Sequence, residues 1–242
     1  MSNAEGAREP VDDLPSGPDL SRCTEVASVP ANHERLVFPR GRREVIAAVE
    51  EFESLEEAYL RYEIEFEEDF VFGRGGKVGA GLASSASYGQ AGCEPIRPEA
   101  WSARFMWRGI RDDAGRYNLE GFEPKARAVL YTYHQDRGER CGDNVEFGFF
   151  EAGKRHVIVQ RVAVNDVGAS NARLDVWLDG AHVLDINDYQ LRGDVDAGVG
   201  LVGAIYWGSF RGGSEHDESW YPNAESAVDI SKVTAYVCPG DR

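Results

Sequence analysis

The chain has 242 residues, with 26 Lys and Arg against 42 Asp and Glu, for a formal charge of −16. No stretch approaches ~18 consecutive apolar residues, which excludes a membrane-spanning helix. The acidic balance argues against a sequence-independent nucleic-acid binder and against electrostatic docking on anionic lipid, since both need a broad basic surface; it leaves room for an anionic ligand in a local basic cleft.

Residues 1–32 are polar, rich in Pro, Gly, Ser and Asp, and show no hydrophobic period. They read as a flexible leader, tied down at Cys23, ahead of one domain over 33–242. Residues 43–56 fit a short helix or a strand equally well. From residue 59 a two-residue period takes over. In YLRYEIEF, Leu60, Tyr62, Ile64 and Phe66 fall on one face, and Arg61, Glu63 and Glu65 on the other. The acidic cluster from Glu63 to Asp69 reads as a solvated strand edge.

Gly73 to Gly81 (GRGGKVGAG) reads as a glycine-rich loop centred on Lys77. It is not a P-loop, because Val78 stands where Ser or Thr must bind magnesium. The plain alternative is a solvated lysine in a turn. Residues 102–109 alternate again. Ser102, Arg104, Met106 and Arg108 share one face, while Ala103, Phe105 and Trp107 share the core face. Two guanidiniums on one sheet face suit carboxylates, because the planar fork donates parallel hydrogen bonds; the alternative is a pair of surface arginines with Glu partners. Strand 127–134 carries Tyr131 and Tyr133 on one face, as in sugar-binding surfaces and in ordinary sheet packing. Further strands are predicted over 144–150, 156–164, 172–178, 181–185, 199–207 and 228–237. Asp179-Gly180 marks a two-residue hairpin between 172–178 and 181–185.

About nine short strands with no long helical pattern predict an all-β, two-sheet antiparallel jelly-roll sandwich. Such folds commonly set their first and last strands side by side, which would bring Cys23 near Cys238. The four cysteines, Cys23, Cys93, Cys141 and Cys238, lack metal-ligand spacing and fit two disulfides in an oxidising compartment, with four buried thiols as the alternative. The preferred pairing among three is Cys23–Cys238 with Cys93–Cys141. The five histidines show no metal-ligand spacing either, so no metal or other cofactor is expected.

Taken in order, these segments resemble polysaccharide lyase family 14, the jelly-roll lyases that cleave alginate and, in some members, glucuronan. The resemblance is carried by Gly75-Gly76-Lys77, by Ser102-x-Arg104-x-Met106-x-Arg108, and by Tyr131-x-Tyr133. Gln160-Arg161-Val162, Val176 to Gly180, and Gly212-Gly-Ser214 to Trp220 extend it. It covers roughly 58–237. The departures are a longer stretch between Arg108 and Tyr131, Val78-Gly-Ala after the Gly-Gly-Lys, and His134-Gln135 after the tyrosines.

The resemblance implies a secreted enzyme, here expected to be a monomer, that acts on an acidic polysaccharide by β-elimination. The C5 proton of a uronate is weakly acidic, because its removal adds charge beside a carboxylate. The carboxylate must therefore be neutralised while a base takes the proton and an acid protonates the leaving O4. Lys77 and Arg104 are implied as neutralising cations. Tyr133 is implied as base and Tyr131 as acid, or the reverse, if nearby cations lower a phenol's pKa. Ser102, Arg108, Gln160 and Tyr206 are implied substrate contacts. The alternative is a non-catalytic carbohydrate-binding module on the same fold.

Overall fold

The structure, a computed structural model, describes residues 17–29, 35–85, 97–121, 123–137, 141–212 and 220–239. Its strands in chain order are β1 (Thr24–Ser28), β2 (Arg35–Phe38), β3 (Ile46–Leu55), β4 (Glu57–Phe66), β5 (Gly75–Ser84), β6 (Ser102–Arg108) and β7 (Lys125–Tyr133), followed by β8 (Asp143–Glu151), β9 (Arg155–Ala163), β10 (Ala172–Leu178), β11 (Ala181–Tyr189), β12 (Val202–Arg211) and β13 (Ser226–Val237). They form two antiparallel sheets. One runs β1-β13-β4-β9-β10-β11, with β2 also pairing β13; the other runs β3-β12-β5-β6-β7-β8. This is the jelly-roll sandwich that the strand spacing predicts.

The core lies between the sheets, and the two-residue period explains it. Leu60, Tyr62, Ile64 and Phe66 of β4 meet Ala103, Phe105 and Trp107 of β6 there, all fully buried. The Asp179-Gly180 hairpin forms as expected, with both residues at positive φ (51° and 82°), matching the right-handed twist of the flanking strands. The ambiguous segment 43–56 yields a strand, β3, on the edge of the six-stranded sheet.

Three expectations need correction. Residues 24–28, placed by sequence within the loose leader, form β1 and pair with β13. Glu63 is not at a solvated edge: β4 runs between β13 and β9, and the buried Glu63 carboxylate meets Lys232 at 3.0 Å and Arg61 at 3.3 Å. Most consequentially, the glycine-rich "loop" is a buried strand, β5, between β12 and β6. Glycine hides a strand from pattern reading because it gives no apolar alternation. Here its lack of a side chain is what close packing requires. A Cβ on Gly76 would lie 2.4 Å from the Trp107 ring, and one on Gly81 would lie 2.2 Å from the Ala103 carbonyl.

β5 also carries a bulge. Lys77 pairs with Met106 and Gly81 with Arg104, so four residue steps on β5 span two on β6. Gly79 lies inside the bulge at φ 74°, and its N–H donates to Ser209 Oγ at 2.9 Å instead of to the ladder.

A disulfide joins Cys23 to Cys238 across the β1–β13 pair and closes a sequence separation of 215 residues. Cys141 is also disulfide-bonded; Cys93, its expected partner, lies outside the described residues. Cross-linking the chain ends removes much of the unfolded chain's freedom, so the Cys23→Ser/Cys238→Ser double variant is expected to lose about 2–5 kcal/mol of stability. Calorimetry would register this as a fall in melting temperature of roughly 5–15 °C; an unchanged midpoint would count against a stabilising role.

Candidate active site

The outer face of the six-stranded sheet carries a cleft of about 480 Å³. Strand register builds it. Arg104 on β6 stands beside Tyr131 on β7, and Ser102 stands beside Tyr133. Tyr206 on β12 pairs with Gly81, which pairs in turn with Arg104. With no side chain at Gly81 between them, the Arg104 guanidinium carbon sits 4.3 Å over the Tyr206 ring centroid. The β5 bulge brings Lys77 into the same space, where Nζ lies 4.3 Å from the Tyr131 ring centroid and 5.3 Å from that of Tyr133. The two phenols meet edge to face at 5.1 Å. Gly142 makes room for them, since a Cβ there would lie 2.8 Å from Tyr131.

Three electrostatic facts follow from this packing. Arg104 is only 3% exposed, yet its Nε and Nη2 have no hydrogen-bond partner, and among the described residues no carboxylate pairs with it. Guanidinium keeps its charge despite burial, so the site holds a cation that lacks a counter-ion. Lys77 is pushed well below the ordinary lysine range, first by burial and then by the charges of Arg104, Arg108 and Arg43. The tyrosine faces attract an ammonium by only ~0.5–2 kcal/mol. Burial and three neighbouring cations act together against that attraction, so the neutral amine gains. Tyr131 is pushed above the ordinary phenol range by burial and by its neighbour Tyr133, and Arg108 and Arg104 only partly oppose this.

Of the residues singled out in the sequence, Lys77, Arg104, Arg108, Tyr131, Tyr133 and Tyr206 all line this cleft. Arg108 donates from Nη2 to Asn144 Oδ1 at 2.8 Å. Ser102 and Gln160 do not line it. Ser102 is fully buried at the start of β6. Gln160, expected as a substrate contact, instead lies on β9 and clamps the two sheets together. Its Oε1 accepts from Leu82 N–H and its Nε2 donates to the Ala103 carbonyl, both at 2.9 Å. The period of β9 directs Gln160 inward, and a motif match alone does not reveal the face. Arg43, Asn144 and Phe210 also line the cleft without having been foreseen. The Asn144 position is visible in the alternation of β8, whereas Arg43 precedes an edge strand and leaves no such signal.

A buried, cation-rich cleft on the outer sheet of a jelly roll defines a protein that handles an acidic ligand. The family model for polysaccharide lyase 14 matches residues 31–233. The chain therefore belongs to polysaccharide lyase family 14 and carries a lyase domain of that family. Among solved structures, alginate lyase Aly36B bound to an alginate trisaccharide is 21% identical, covering 83% of this chain and 80% of that one at a TM-score of 0.66. The PL-14 alginate lyase of Aplysia kurodai is 18% identical, covering 90% and 88% at 0.64. The endo-β-1,4-glucuronan lyase of Trichoderma reesei is 15% identical, covering 89% and 86% at 0.52. These likenesses establish a shared fold. A stretch of 128 residues is 31% identical to dog deoxyribonuclease-1, covering 48% of this chain and 45% of that protein. The chain thus matches less than half the length of this curated relative.

Proposed function

We propose that this protein is a secreted, monomeric lyase that cleaves an acidic polyuronate, alginate or glucuronan, by β-elimination. The observation that carries this reading is Arg104, a buried guanidinium that faces the cleft with donors to spare and no carboxylate of its own. A uronate carboxylate is the ligand that completes it, through charge-assisted hydrogen bonds. Neutralising that carboxylate is also what makes the C5 proton removable. Disulfide bonding of Cys23, Cys238 and Cys141 supports an oxidising, extracytoplasmic location.

The charges favour Lys77 over Tyr133 as the base. An amine held well below the ordinary lysine range accepts a proton more readily than one that stays charged. Lys77 Nζ takes the C5 proton, the C4–O4 bond breaks, and C4=C5 forms. Tyr131, held protonated by burial, gives its hydroxyl proton to O4. The ammonium on Lys77, beside the same ring, then returns its proton to the Tyr131 phenolate and both groups are reset. Tyr133 packs against Tyr131 and lies under Arg137 at 5.1 Å, a position suited to orienting the sugar.

The test is incubation with polymannuronate, polyguluronate and glucuronan while following ultraviolet absorbance. Elimination leaves a C=C conjugated to the carboxylate, so absorbance grows on at least one polymer if the reading holds. Binding with no absorbance on any of them would overturn it in favour of a carbohydrate-binding module.

A further inference from the structure

Leading away from the catalytic pocket is a run of guanidiniums interleaved with aromatic rings. The Arg108 guanidinium lies 5.7 Å from the Trp220 ring centroid, and Arg74 lies 4.2 Å from the same ring. Arg74 is also 5.7 Å from the Tyr117 ring, with Arg111 at 4.9 Å from Tyr117. We propose that this ladder is a second binding stretch for the same polymer, gripping uronate carboxylates beyond the sugar that reacts. The inference rests on the polyuronate reading above and adds to it the part of the substrate that lies outside the catalytic pocket.

Four observations carry it. First, the reach is right. Arg104 and Arg108 are four residues apart on one strand, about 13 Å at ~3.3 Å per residue, which is longer than one sugar ring. The backbone anchors of the two arginines are thus more than one sugar apart, and the ladder runs on from Arg108 by way of Trp220 and Arg74 to Tyr117 and Arg111. Second, Arg108 and Arg111 are not neutralised by carboxylates: in a chain of net charge −16, none among the described residues pairs with either. The adjacent acid, Asp112, is already held by Arg116 at 2.9 Å. Third, Trp220, which joins Arg74 to Arg108, also lines the catalytic pocket, so the ladder is continuous with it. Fourth, the far end is built on the stretch that departs from the family pattern. Arg111 and Tyr117 bridge to one another there as a short antiparallel pair. Contact with the rings limits each guanidinium's freedom, so less is lost when a carboxylate docks.

The experiment compares the wild type with Arg111→Ala and Tyr117→Ala. First, kcat/KM is measured on long chains and on the trisaccharide of whichever polyuronate the wild type cleaves. The ratio of long-chain to trisaccharide kcat/KM is expected to fall about tenfold in each variant, and the salt dependence of long-chain turnover is expected to become shallower. An unchanged ratio in variants with wild-type melting temperatures would overturn the ladder and leave the lyase reading standing. If the wild type cleaves no polyuronate, the lyase reading fails, and calorimetric titration with polymannuronate and polyguluronate decides the ladder separately. Weaker binding by Arg111→Ala supports it, and equal affinity or no wild-type binding overturns it.

Discussion

Lys77→Met is expected to reduce kcat by about 10³–10⁴-fold, at the upper end of what a positioned base contributes, while the protein folds and still binds polymer. Methionine fills the same buried volume without a proton acceptor, and Lys77→Arg should fail to rescue because guanidinium does not give up its proton near neutrality. The comparison that assigns the role is Tyr133→Phe. If Lys77 is the base, Tyr133→Phe keeps a larger share of turnover than Lys77→Met; if Tyr133→Phe is the more damaging, the base is the tyrosine that the family resemblance implies. The pH profile carries the same information. Below the lowered pKa of Lys77 the amine is protonated and cannot accept, so kcat/KM should rise as pH climbs through that value. Tyr131 is held above the normal phenol range, so its proton remains available until strongly alkaline pH. The profile should have an acid limb set below the ordinary lysine range and a late alkaline limb, and a Lys77 variant should lose the acid limb.

Arg104→Met should produce the second large effect, and activity and stability should move in opposite directions. Losing the group that neutralises the substrate carboxylate is expected to lower kcat/KM by about 10²–10³-fold. Yet the same change removes a buried cation with two unpartnered nitrogens. A charge buried without a counter-ion opposes folding, so the melting temperature should hold or rise. Activity and thermal unfolding measured on one preparation would check both. A fall in melting temperature would mean that Arg104 is a structural strut instead.

Most of the sandwich was legible because its strands obey a simple rule. The alternation in YLRYEIEF put Leu60, Tyr62, Ile64 and Phe66 in the core, and the face of β6 that bears Arg104 and Arg108 followed from the same count. The pairing of first and last strands, with Cys23 bonded to Cys238, followed from the topology of the fold class. What escaped was encoded in close approach, which no one-dimensional pattern carries. β5 was hidden because glycines at 76 and 81 report on the neighbouring backbone, not on a face of their own. The role of Gln160 was misread because a shared tripeptide says nothing about which sheet it occupies. The low proton affinity of Lys77 depends on Arg43, Arg104 and Arg108, which only the folded sheet brings together.

The bulge in β5 has a bearing on how this segment can drift over generations. Its two extra residues set Lys77 opposite Met106 instead of Arg108, closer to Arg104, and a strand shifted by one position turns every side chain to the opposite side. Gly79, at positive φ, and Gly81, with no room for a side chain, leave little freedom of identity, and loss or gain of a single codon between Lys77 and Gly81 would drive an amine into a wall of tryptophan and phenylalanine. Lineages descended from this gene should therefore keep this stretch at constant length and keep its glycines.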